Sequence, residues 1–558
     1  MVNLYFANIK ESRIKLILCL LAIFSFFSTI NILPPLDRDE SRYIQSSSQM
    51  METRDFFNIN FLDTPRLKKP PATYWLQSLS ATMVQNIFLL DNPPLWSFRI
   101  PSAIASSISL LLVYLLGNII FGRFEGVLGA FLFLSAPIVM IESNIAKTDA
   151  ILSCLVLSIV YLLAKIIFVK NKVNNIFSIE IFLLWLILGF SFLVKGPIAL
   201  TIFTFLIICF KIFEKDFNFQ IIKPFYGLLI FLIVCLPWYL FIILGDDGDS
   251  LFRDVKNDFL AKLISAQESH GAPPGSYLLS FFIIAWPIAL FLIPTAIWTY
   301  LNRNEKSIKY LLCYVLPFWL LLEIIPTKLL HYTLPIIPGI ALLTSAMIVD
   351  QIKNNHISKI FNNIFIKFFL IFPILGVLAI AFAIFYFGEE YGEGSSISIL
   401  LVSSLFIFIG IISFYYLYNL NFYKASIIAS FGNIIAINLF LIFIPYQMQK
   451  LWVSERIYQE IQNLNINKSL VLLGYSEPSL VFRIGSNTKI MGSTKEALDI
   501  IQEKKIGYIV IEKKFLKQFK TLSFKNNIEI YSNGETITGF NYSKGKNVEI
   551  NIFKIIFK

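Results

Sequence analysis

Between two strongly apolar segments, the stretch Leu36–Gln77 holds Asp37, Asp39, Glu40, Asp55 and Asp63 beside six cations, Arg38, Arg42, Arg54, Arg66, Lys68 and Lys69. Carboxylates next to fixed cations suit proton abstraction and anion binding. In DRDESRY (37–43), Asp39 and Arg42 are three residues apart, so a helix stacks them on one face. A carboxylate near a helix start is favoured in its ionised form, which is the form a general base needs. The plainer reading is an N-terminal capping acid with a surface ion pair. In RLKKPPATYW (66–75), Lys68 and Lys69 precede a double proline and the pair Tyr74–Trp75. The prolines restrict the backbone and can hold both lysines at the depth of a lipid phosphate. The plainer reading there is attachment to anionic head groups.

Further polar residues stand at the ends of apolar runs. Asp149, in IAKTDA, opens one run; Lys195, in LVKGP, lies at a turn between two. Each alone reads as a helix-end cap or anchor. Glu323 sits inside an apolar run, a costly charge for which the sequence names no partner. SHGAPP carries His270, and PTKLLHYTLP carries Lys328, His331 and Tyr332 at a helix entrance. Neither HExxH nor paired-cysteine spacing accompanies these histidines. The five cysteines all fall in apolar segments and read as small core residues.

These groups must be positioned by membrane helices. The chain has 558 residues, 56% hydrophobic and only 15% charged, the composition of a polytopic membrane protein. The formal charge of +11 is spread over many loops and is no nucleic-acid signal. Spans of about twenty residues are expected near 14–33, 98–121, 126–142, 150–169, 178–194, 197–213 and 224–244. Six more are expected near 276–300, 308–325, 332–349, 361–387, 397–418 and 422–445, about thirteen in all. Alternate connectors are rich in Lys and Arg, which predicts a cytoplasmic N-terminus on an uncleaved first span. The loop 34–97 then faces outward although it is basic, and an outward anionic ligand explains that. Within it, Tyr43, Ile44, Met50 and Met51 predict an amphipathic helix after Asp39, and Pro70–Pro71 predict a second through Tyr74 and Trp75. A transporter or lipid flippase would instead place its charges near the bilayer midplane.

From about Met448 the pattern changes. SLVLLGY, KIMG and IGYIVIE read as buried strands, and TKEALDIIQEKK as a helix opened by a Ser493/Glu496 capping box. With further strands near 527–532 and 548–556, this predicts a small α/β domain over 448–558 behind a transmembrane domain over 1–447. An odd number of spans puts it outside.

Taken in order, DRDESRY, KKPPATYW, the span-opening Asp149, VKGP, SHGAPP and TKLLHYTLPIIP resemble the polytopic glycosyltransferases that use lipid-phosphate sugars. The chain is most similar to the bacterial aminoarabinose transferases that modify lipid A, relatives of the protein O-mannosyltransferases, over roughly residues 15–350. The resemblance implies the α-helical GT-C membrane fold and an undecaprenyl (polyprenyl) phosphate-linked sugar donor. It implies lipid A or lipopolysaccharide as acceptor at the periplasmic face of the bacterial inner membrane, with inversion at the anomeric carbon. A protein hydroxyl is the alternative acceptor. By the same resemblance Asp39 is the catalytic carboxylate, and Asp149 a second one near the sugar or acceptor. Arg42 and Lys69 match positions that hold the donor phosphate, and Lys68 beside them is a further candidate for it. Glu40, Tyr74, Lys195, His270, Lys328, His331 and Tyr332 are further candidates for substrate contact. The family commonly has Glu-Lys-Pro where this chain has Lys68-Lys69-Pro70. That Glu, with the loop histidine, could help hold a divalent cation; an ammonium in its place leads us to expect no metal and no other cofactor.

Overall fold

A computed structural model of the protein describes residues 10–169, 178–245, 248–254, 271–354, 367, 370–392, 394, 396–466 and 469–557. Eight helices among the described residues are long and apolar enough to cross a membrane. They are Leu95–Ile120, Asp149–Val169, Phe219–Leu244, Lys306–Ile324, Leu330–Asn354, Phe372–Tyr391, Ile397–Tyr418 and Phe422–Gln447. A ninth span results if Ser276–Ile284 and Ile288–Leu301, bent by 118°, count as one. The protein is a multi-pass membrane protein. On Pro224–Leu244, Phe225, Ile233 and Leu244 are 86%, 64% and 82% exposed, a surface that only lipid covers without penalty.

The expected count of thirteen is not confirmed among the described residues. The helices at the other expected places are Glu11–Phe27 (17 residues), Arg123–Leu134 (12), Ile179–Lys195 (17) and Ile198–Phe213 (16). At about 1.5 Å per residue the two 17-residue helices stand at the short end of what crosses a hydrocarbon core, and the other two lie below it. The run expected near 126–142 is broken in two, because Pro137 starts a separate helix, Pro137–Glu142.

The loop after the first helix folds as two helices joined by a short hairpin. Asp39–Thr53 buries Tyr43, Ile44 and Met50 and closes on Arg54 in the left-handed region (φ 58°). Strands Asn60–Phe61 and Thr64–Pro65 pair antiparallel. Helix Ala72–Ile87 then follows the double proline.

Beyond the last span, a six-stranded sheet carries helices on both faces. Leu470–Leu473 is parallel to Lys489–Met491 on one side and to Tyr508–Glu512 on the other. The long strand Lys546–Phe557 pairs antiparallel with Tyr508–Glu512, Ile528–Ser532 and Ile537–Asn541. Alternation along Leu470–Leu473 explains the layers: Leu470 and Leu472 join one apolar cluster, Val471 and Leu473 the other. The expected capping box is present on Thr494–Lys504. Helices Pro478–Ile484 and Lys513–Lys525 and strand Ile537–Asn541 add to the elements that the sequence pattern predicts. The sheet unit sits on the loop helices: Phe482 packs among Ile44, Ala81, Leu95, Phe98 and Ala146, with its ring edge-on to Phe98 at 5.9 Å.

Candidate active site

Asp39 is the first residue of its helix, and its side chain is accessible while both chain neighbours are engaged. Burial in the recess pushes its carboxyl up, but Arg66, then Lys147 and Lys69, together hold it below the ordinary carboxylate value. Asp39 is thus ionised at neutral pH. Arg42 follows one helical turn later and is half-buried.

Glu40 is turned into the protein instead of towards a substrate. Its Oε1 accepts from Arg99 Nε (2.8 Å) and the Ala146 N–H (2.8 Å); its Oε2 accepts from the second Arg99 arm (3.0 Å) and the Leu36 N–H (2.9 Å). Arg99 spends its remaining donors on the carbonyls of Ile30, Leu33 and Pro34. Both residues are buried, and their hydrogen bonds are satisfied. The pair ties the loop to the helix Leu95–Ile120.

Below Asp39 lies a buried charge cluster. Lys195 Nζ donates to Asp149 Oδ1 at 2.5 Å, and Lys147 Nζ to Glu142 Oε1 at 3.0 Å. His331 stands between the two carboxylates, with Nε2 3.8 Å from Asp149 Oδ2 and Nδ1 4.0 Å from Glu142 Oε1. Burial disfavours the Lys147 charge, yet Glu142 and Asp149 hold its pKa above the ordinary lysine value. Tyr332 packs edge-on to His331 and lies under the Lys195 ammonium at 5.1 Å.

A cavity of about 140 Å³ opens beside this cluster. Lys69, Asp149, Lys195, His331 and Tyr332 line its polar end; Leu152, Ile198, Phe318, Leu321, Leu322, Ile325 and Pro335 line the rest. Two ammoniums above apolar walls fit an amphiphile with an anionic head.

The structure thus gathers Asp39, Lys69, Asp149, Lys195, His331 and Tyr332. Lys68 is exposed next to Lys69. Tyr74 is buried; its hydroxyl accepts from Arg66 at 3.4 Å and its ring packs on Tyr43 at 5.0 Å. Lys328 donates to the carbonyls of Leu322, Glu323 and Ile325, closing the end of helix Lys306–Ile324. His270 lies outside the described residues. Glu142, Arg66 and Arg99 were not among the expected site residues. Arg99 carried the signal of a charge inside an expected span. Glu323 finds the partners that the sequence withheld, accepting the N–H groups of Gly275 (2.8 Å) and Leu278 (3.1 Å) at the start of a helix.

Of the two positions where a metal is at issue, Lys68 is among the described residues and His270 is not. The Lys68 ammonium offers no lone pair, and no group of three or more His, Cys, Asp or Glu with metal spacing occurs among the described residues.

Residues 68–241 match the family model described as dolichyl-phosphate-mannose-protein mannosyltransferase. An undecaprenyl phosphate-alpha-4-amino-4-deoxy-L-arabinose arabinosyl transferase of Proteus mirabilis is 25% identical over 65% of this chain and 64% of its own length. One from Pseudomonas fluorescens is 24% identical over 62% and 61%. The chain spans less than two thirds of the length of these relatives. Among solved structures, ArnT from Cupriavidus metallidurans bound to undecaprenyl phosphate superposes with a TM-score of 0.72. The match has 13% identity and covers 97% of this chain and 98% of that one. The Archaeoglobus fulgidus oligosaccharyltransferase follows at 0.56, with 9% identity, over 92% and 70%. The chain shares the fold of the Cupriavidus metallidurans ArnT structure and is similar in sequence to the aminoarabinose transferases over about two thirds of its length.

Proposed function

We propose that the protein is a glycosyltransferase that moves a sugar from undecaprenyl phosphate, or a similar polyprenyl phosphate, to lipid A or lipopolysaccharide. The observation that carries this reading is the cavity with Lys69 and Lys195 over apolar walls, beside an ionised and accessible Asp39. A polyprenyl chain occupies the apolar part and its phosphate the polar end. An acceptor hydroxyl attacks the anomeric carbon, Asp39 takes the hydroxyl proton, and the sugar–phosphate bond breaks with inversion. The negative charge developing on the leaving phosphate is met by Lys69, with Arg42 one turn from Asp39 as the second cation. Asp149, fixed by Lys195, faces the sugar end of the cavity. The similarity to arabinosyl transferases favours a lipid acceptor, and the mannosyltransferase family match favours a protein hydroxyl.

The reading also places the protein in the bacterial inner membrane, with a cytoplasmic N-terminus. Residues 1–447 form the membrane domain, and 448–558 a periplasmic domain beside the loop 34–97. Alkaline phosphatase fused after Lys558 is expected to be active.

The decisive assay is sugar transfer by the purified protein from undecaprenyl-phosphate sugar to lipid A, with the product read by mass spectrometry. Asp39→Asn is expected to abolish transfer while donor binding survives. Transfer by that variant at the wild-type rate would remove Asp39 as the base. A wild-type protein that modifies neither lipid A nor protein refutes the reading.

A further inference from the structure

Three of the four residues Asp37–Glu40 are fixed by contacts of two different origins, and Asp39 is the one left accessible. Glu40 is held by Arg99 from the membrane side. Asp37 and Arg38 are held by the sheet unit, from residues more than four hundred positions away. The Asp37 N–H donates to Tyr542 Oη at 2.7 Å, and Asp37 Oδ1 accepts from the Ser479 N–H at 2.9 Å. Arg38 donates to the Ser543 carbonyl at 3.1 Å, with its Nε 3.9 Å from Glu477 Oε2. Glu477 is itself buried and accepts from Asn541 at 2.8 Å and Ser543 at 3.1 Å.

The geometry points to the C-terminal sheet unit as a working part of the transfer site: Ser479, Tyr542 and Glu477 hold Asp37 and Arg38, and so set where the Asp39 carboxylate stands. Asp37 is a positioning residue. The inference rests on the reading of Asp39 as base. Several features argue for it over simple attachment of an accessory domain. The contacts fall on the two residues next to Asp39, not on distant parts of the loop. They engage backbone as well as side chain, so they constrain the path of the chain into the helix. Phe482 of the same unit packs under that helix, against Ile44 and Ala146, so the helix is gripped at its start and along its buried face. A base must lie within hydrogen-bond reach of the proton it removes, and a misplacement of about 1 Å can cost about a hundredfold in rate. The two grips serve that tolerance together: loosening either frees the segment to pivot about the other.

The test uses the full-length protein in nanodiscs, with undecaprenyl-phosphate aminoarabinose as donor and lipid A as acceptor. Asp37→Ala removes the Ser479 bond, Tyr542→Phe removes the backbone acceptor, and Asp37→Asn keeps an oxygen in place. Asp37→Ala is expected to lower kcat by about tenfold to a hundredfold, with little change in donor KM and with full donor-binding stoichiometry. Tyr542→Phe is expected to lower kcat in the same way by a smaller factor, and Asp37→Asn to recover most of the kcat that the alanine variant loses. A loss of binding stoichiometry in proportion to kcat would mean only that fewer molecules fold, and overturns positioning. So does a wild-type kcat in Asp37→Ala, or in Tyr542→Phe should the alanine variant not fold. If the wild type transfers and Asp39→Asn does not, those outcomes count against the sheet unit alone. If Asp39→Asn is active, the base assignment fails instead.

Discussion

The segment that carries Asp39 is held on one side by a buried ion pair and on the other by a more open polar network. On the membrane side, Glu40 and Arg99 are both buried, and the guanidinium and carboxylate exchange two hydrogen bonds. On the outer side, Arg38 is partly exposed, and its ion pair with Glu477 is long at 3.9 Å. Neutral donors and acceptors, Ser479 and Tyr542, supply the rest. The first arrangement is an anchor that tolerates no loss. The second is graded, since each contact is modest and several share the task. A carboxylate held by one of each keeps its place while the loop around it still meets solvent.

The largest break in this comparison is Arg99→Met. It leaves Glu40 charged and unpaired and strips three carbonyls of their donor, which is expected to cost about 3–5 kcal/mol. The thermal midpoint of the purified protein measures it. Adding Glu40→Leu to that variant should restore part of the loss, because the stranded charge is gone; no restoration would mean that the pair is not the source of the effect.

Glu477→Ala is the matching break on the outer side. It removes the acceptor shared by Arg38, Asn541 and Ser543, for about 1.5–3 kcal/mol. The loss should be local: faster hydrogen exchange at 541–544 and 37–39, with the spans unaffected. Uniformly faster exchange across the whole chain would contradict a separate outer grip.

A smaller effect depends on pH. Burial pushes the Asp37 carboxyl up to about 6, with Glu477 adding to the rise while the bonds from Ser479 and the charge of Arg38 oppose it. Tyr475 and Tyr542 are further titratable groups in electrostatic reach of Asp37. Above pH 6 the folded protein carries a charge that its surroundings disfavour. As pH falls from 6 towards the ordinary value of about 4, the folded state takes up the proton before an unfolded chain would, and the penalty disappears. Asp37→Asn should therefore gain stability over the wild type above pH 6, and that advantage should shrink between pH 6 and 4. Melting both proteins across this range tests it; a constant difference would place the Asp37 titration elsewhere.

The smallest effect is expected for Lys489→Ala. Its bond to Asp63 is 3.0 Å long, but Asp63 is 82% exposed, and such surface pairs contribute about 0–1 kcal/mol. A large loss would show that the outer grip extends further along the loop.

How much of this was legible in the sequence depended on how far apart the partners lie. Asp39 and Arg42, and Lys69 before Pro70–Pro71, share short motifs whose spacing carries the chemistry. Every strand of the sheet unit except Ile537–Asn541 was legible, because apolar runs such as Leu470–Leu473 stand out against polar surroundings. Glu40 and Arg99 are 59 residues apart, so a buried brace looked like one more loop acid. Lys328 looked like an outward cation, because only folding shows its ammonium closing a helix end. The span count is not confirmed among the described residues for a local reason: hydropathy averages across a break, and Pro137 and the sharp bend between Ile284 and Ile288 divide runs that read as continuous.

The bond between Asp37 and Tyr542 joins residues 505 positions apart. During synthesis, Asp37 leaves the ribosome long before Tyr542 has been made, and the intervening helices are inserted in between. The outer grip is therefore among the last contacts the growing chain can form. A nascent or prematurely ended chain can have its membrane helices in place and still lack the bonds that fix Asp37 and Arg38.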